Sequence, residues 1–186
     1  MSIPRTLTYT APLLLLLTGA GADPGGPAYT AAGALTAPLD YREWVFLSSG
    51  IDMSYTTDPA MQGHSMFDNV FVDPASWREF KRTGHWPDRT MFVMEARGAA
   101  SEGSINKRGQ YQSEELMGTE LHVRDDSRFK SGWGFFAMDG AVTKQLPDTA
   151  ACYDCHQAHG AVDTTFAQFY PTAKAIAVKA GTFRER

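Results

Sequence analysis

Cys152-Tyr153-Asp154-Cys155-His156 lies late in the chain and holds its only two cysteines. No disulfide framework competes for those thiols, so the local spacing decides their chemistry. C-x-x-C-H is the attachment spacing of a c-type haem. The two thiols add across the vinyl groups of one porphyrin, and the adjacent histidine becomes the proximal iron ligand. A zinc site built on C-x-x-C needs a second ligand pair, and only His159 is nearby. A thioredoxin-like pair wants a strand before it and a helix opening at the first cysteine. Here Leu146 to Ala150 reads as a loop leading into a short turn. The expected cofactor is one haem c, held through Cys152 and Cys155 by two thioethers, with His156 on the iron.

The N-terminus supports that reading. Arg5 precedes the apolar run Leu13 to Leu17, and Ala20-Gly21-Ala22 fits a cleavage site, so residues 1–22 read as a secretory signal peptide. The run is short for a membrane span, the alternative being an uncleaved anchor. Haem c is attached outside the cytoplasm in bacteria, so a periplasmic location is expected, with no span left after signal removal. Residues 23–39, rich in Gly, Ala, Pro and Thr, read as a flexible leader. Residues 40–186 are of ordinary size for a single domain. The net charge of −4, with no basic stripe, excludes a nucleic-acid partner.

The domain reads as mainly β, an antiparallel sheet with a few short helices. Apolar, aromatic or alternating runs at 42–47, 67–72, 90–95, 120–124 and 134–138 read as strands, the last ending at the turn signal Asp139-Gly140. Pro74 to Arg82 has helical spacing, with Asp73 as N-cap and Pro74 at the first helical position. An Ala-rich helix is expected over 171–180. A late haem motif in such a chain departs from the all-helical small cytochromes and from four-helix bundles.

Several segments carry a resemblance: Tyr41-Arg42-Glu43-Trp44-Val45, Val70-Phe71-Val72-Asp73-Pro74, Lys81-Arg82-Thr83-Gly84, Trp133-Gly134-Phe135-Phe136, Leu146-Pro147 through Cys155-His156, and Phe166-Ala167-Gln168-Phe169-Tyr170-Pro171. In order and spacing the chain resembles the cytochrome P-460 and cytochrome c′-beta superfamily from about Tyr41 to Lys174. The resemblance implies a β-sheet homodimer with one covalent haem per subunit and His156 as proximal ligand. Cytochromes P-460 carry a lysine cross-linked to the haem and oxidise hydroxylamine. The matching position here is Met94, in a strand without lysine, so the chain is most similar to a c′-beta-type member, a branch of gas binders with apolar distal pockets.

Alternation along that strand puts Phe92 and Met94 on one face. A thioether can occupy the sixth position of haem iron, and His/Met ligation suits electron transfer; the alternative is plain core packing. The distal candidates are therefore Met94, with Met66 second, and Phe92 and Phe67 as apolar walls. His64 reads as a loop residue near the distal side, His159 as a surface residue, and Asp68 as a solvated strand-end carboxylate or a proton relay. Arg97 reads as a surface residue or a propionate partner. Trp44, Trp77, Trp133, Met117 and Met138 read as core or interface. The function expected is electron transfer with a redox partner protein, or binding of nitric oxide or carbon monoxide. The alternative is oxidation of hydroxylamine or a related nitrogen compound, or peroxidase activity.

Overall fold

The computed structural model describes residues 26–53 and 65–185. The expected signal peptide and His64 lie outside them. Six strands form one antiparallel sheet in sequence order: β1 Val45–Ile51, β2 Met66–Val72, β3 Met91–Ala100, β4 Tyr111–Arg124, β5 Trp133–Asp139 and β6 Val142–Gln145. Helix α1 (Pro74–Thr83) bridges β2 and β3, and α2 (Ala151–His159) and α3 (Pro171–Ala180) follow the sheet. The mainly β class expected from the sequence is the one observed. No described helix is long and apolar enough to cross a membrane.

Local chemistry explains the boundaries of α1. The Asp73 carboxylate accepts from Ser76 N at 2.8 Å and from Met91 N at 2.9 Å. One buried side chain thus caps the helix and ties it to the first residue of β3. The helix stops at Gly84, whose φ of +75° favours glycine. A Cβ there would also sit 2.5 Å from that of Ala180, so α1 and α3 meet closely at this point.

The period-2 pattern divides the core between the two faces of the sheet. On one face Leu47, Val72, Phe92 and Trp133 pack under Phe80, Trp86 and the C-terminal segment carrying Val162, Phe166 and Ala173. On the other, Met91, Val93, Leu121, Val123 and Phe136 are covered by Leu35 and Tyr41. Residues 26–39 are therefore not a free leader: Leu35 is buried in that second core, and Tyr29 Oη donates to Asp125 at 3.0 Å. Gly and Pro content signalled a loop, and two apolar anchors hold it down.

Three further features differ from expectation. β4 is longer than residues 120–124, and its first half runs beyond β5, which leaves Met117 exposed rather than in the core. β6 is short and polar and pairs with β5 across the Asp139-Gly140 turn. The loop at 146–150 leads into a nine-residue helix, not a short turn, because the haem motif and its alanines sustain helical backbone.

Candidate haem site

The apolar face of the sheet opens into a cavity of about 500 Å³, within the range of cofactor sites. Cys152, Cys155 and His156, presented by α2, form one side of it, and Phe92 and Met94 of β3 line the sheet side. Both cysteines are unpaired thiols, and burial raises the pKa of Cys152. A second cleft, lined by Arg128, Lys130 and Tyr153, reaches His156 but neither cysteine. Only the first cavity joins all three residues of the motif.

His156 is held in one orientation. Its Nδ1 lies 2.8 Å from the Thr164 carbonyl oxygen, which can only accept, so Nδ1 carries the proton and Nε2 keeps its lone pair. Burial lowers its pKa and favours this neutral form, although the Thr164 bond acts in the opposite sense. The ring is caged by Phe166 at 4.2 Å, His122 at 4.6 Å and Phe135 at 4.7 Å between centroids.

Across the cavity, the register places Val70 opposite Met94 and Glu120 on its other side. Met66, Asp68 and Val70 of β2 also line the cavity, as does Met53. Phe67 does not: with Met66 and Asp68 turned to the cavity, strand alternation sends the intervening Phe67 to the opposite face. Asp68 is no solvated strand-end group. Burial, with Glu120 and Asp52 nearby, pushes its pKa up to about 6. Burial raises that of Glu120 as well. Arg97 lies outside the cavity and pairs with Glu95 at 2.7 Å. His159 is exposed at the end of α2. Trp133 is buried in the first core with Trp77 at its edge, and Trp44 and Met138 pack against the second.

Two titratable cavity residues of β4 are among those not singled out from the sequence. Glu120 and His122 share a face of β4, and alternation against Leu121 was the signal available. His122 stacks on Phe135 at 4.2 Å and 9° and lies 4.2 Å from Trp133. Its Nε2 has no partner among the described residues, and burial drives its pKa well down. The His122 and His156 rings meet edge to face at 4.6 Å between centroids, so His122 packs directly beside His156.

The donor set fits a covalent haem: two thiols and a neutral, oriented imidazole border one apolar cavity containing an unpartnered buried nitrogen. No curated protein matches the chain. The family model for cytochrome P460 matches residues 38–167, from before β1 to the residue after Phe166. That span covers the whole sheet, α2 and all of the cavity lining except Phe169 and Tyr170, and the chain belongs to the cytochrome P460 family of haem cytochromes.

Proposed function

We propose that the protein is an exported mono-haem c-type cytochrome that works mainly in electron transfer, with binding of a small diatomic gas as the related role. Cys152 and Cys155 would hold the haem by thioethers, and His156 would be the proximal ligand. The observation that carries this reading is the single cavity bordered by those three side chains on α2 and by Met94 on β3. When bound, the haem supplies a one-electron couple and an axial coordination position. The chain supplies the rest. Thr164 fixes the tautomer of His156, the Phe135 and Phe166 rings pack against it, and Met94 offers a soft sulfur from the sheet. A thioether on iron raises the reduction potential and closes the position a gas would need, which ranks electron transfer first. No lysine is among the described residues lining the cavity, in line with Met94 standing where the cross-linking lysine of the P-460 branch is expected.

A second reading, oxidation of a small nitrogen compound such as hydroxylamine, is favoured by Asp68 and Glu120. Both carboxylates face the cavity with raised pKa values. Asp68, at about 6, accepts a proton close to neutrality. The two carboxylates also disfavour anionic ligands relative to neutral or cationic ones. The deciding experiment is the absorption spectrum of the purified holoprotein, oxidised and reduced, with nitric oxide and then hydroxylamine added. A low-spin iron with a sulfur-to-iron charge-transfer band, unchanged by either addition, supports electron transfer. A high-spin iron that binds nitric oxide supports gas binding, and reduction by hydroxylamine with turnover supports the enzyme. Periplasmic export and a homodimer, which the family resemblance implies, belong to the same proposal. N-terminal sequencing and light scattering of the exported protein check them.

A further inference from the structure

The carbonyl that orients His156 sits on an unusual piece of backbone. Asp163 and Thr164 both have positive φ, +45° and +61°. Two consecutive non-glycine residues in the left-handed region are uncommon, and for a β-branched threonine the conformation is a genuine outlier. Such strain persists only where the surroundings over-determine it.

Those surroundings are specific. The Asp163 carboxylate accepts from Trp86 N at 2.8 Å and lies 3.0 Å from His85 Nδ1. Trp86 Nε1 donates to Thr165 Oγ1 at 2.9 Å, and Thr165 Oγ1 donates to Val162 O at 2.7 Å. Trp86 is itself fixed, 1 % exposed and stacked on Phe80 at 3.8 Å. Gly160 lets the turn close onto α2: a Cβ there would lie 2.5 Å from the Thr164 carbonyl carbon. The turn is thus gripped on both sides by one tryptophan from the loop after α1, and the grip ends at His156 Nδ1.

We infer that Asp163 and Trp86 are positioning residues that set the donor strength of His156 toward the iron by holding the Thr164 carbonyl in hydrogen-bond range. This rests on the proposed role of His156 as proximal ligand. A hydrogen bond accepted from Nδ1–H makes the imidazole a stronger donor, which favours ferric iron and lowers the reduction potential. Releasing the turn weakens that bond and raises the potential.

Asp163 is the residue to change, because its side chain keeps 21 % exposure whereas Trp86 is core. In the holoprotein, Asp163→Ala should raise the reduction potential by roughly 30–60 mV, a threefold to tenfold change in the ferric-to-ferrous ratio at 59 mV per tenfold. Asp163→Asn, which keeps one acceptor oxygen for Trp86 N, should restore most of the parent value. Resonance Raman of the ferrous protein gives a second readout in a background whose spectrum is five-coordinate, Met94→Ala or, where Met66 takes over, Met94→Ala with Met66→Ala. The iron–histidine stretch should move to lower frequency with Asp163→Ala and return with Asp163→Asn. An unchanged potential and stretch, with only a lower unfolding midpoint, would show the clamp to be merely structural and overturn the inference. If that five-coordinate background shows no iron–histidine stretch before Asp163 is changed, His156 is not the ligand, and the functional reading falls together with the clamp.

Discussion

Asp68→Asn should stabilise the protein, and do so only where the carboxyl would be charged. The Asp68 pKa rises from 3.8 to about 6, chiefly because burial penalises the charged form and secondarily because Glu120 and Asp52 repel it. Below the unfolded-state pKa the group is protonated in both states and costs nothing. As pH rises from about 4 to 6 the unfolded chain gives up its proton first, so stability falls, and above about 6 the whole cost is present. A shift of that size corresponds to about 3 kcal/mol. The side chain is only half-buried, so screening by solvent reduces this to about 1–2 kcal/mol. Asparagine keeps the shape without the charge. Urea denaturation of the holoprotein, followed by far-UV circular dichroism, should therefore show Asp68→Asn more stable by about 1–2 kcal/mol above pH 7 and no more stable than the parent near pH 4. An equal effect at both pH values, or destabilisation above pH 7, would refute the placement of this carboxylate in a poorly solvated cavity.

Met94→Ala should open the sixth iron position: the oxidised spectrum shifts from low towards high spin and nitric oxide binds at once, whereas an unchanged spectrum moves the distal role to Met66. Phe92→Ala, in contact with Trp86 at 4.8 Å and 4 % exposed, should cost about 3–5 kcal/mol in chemical denaturation. Asp73→Ala removes both the α1 cap and the acceptor for Met91 N, and about 2–4 kcal/mol should be lost, against about 1 kcal/mol for a cap alone.

Helices α1 and α3 and most strands were legible because each has a local signature. Asp73 and Pro74 open α1 as the capping pattern predicts, and α3 spans the expected Pro171–Ala180. Alternation put Phe92 and Met94 on one face, and both line the cavity. The same alternation would have excluded Phe67, since Met66 and Asp68 bracket it. What escaped was set by tertiary contact. A leader rich in Gly and Pro is held by Leu35 only because the second sheet face needs a cover. The polar residues of β6 show no strand signal of their own and pair because β5 supplies an edge. The burial that moves Asp68 depends on the elements enclosing the cavity rather than on its neighbours in sequence. The left-handed turn at Asp163–Thr164 is invisible to composition, since neither residue is glycine.

The central claim is that Cys152 and Cys155 both carry the haem. Intact mass spectrometry of the acid-denatured protein, produced in cells competent for haem c attachment, tests it most directly, with the pyridine haemochrome spectrum of the same sample. The account predicts a mass increased by one haem that survives denaturation, a spectrum of a two-thioether haem, and a one-thioether spectrum for either Cys152→Ser or Cys155→Ser. A haem that dissociates on denaturation, or two-thioether spectra that persist in those variants, would contradict it.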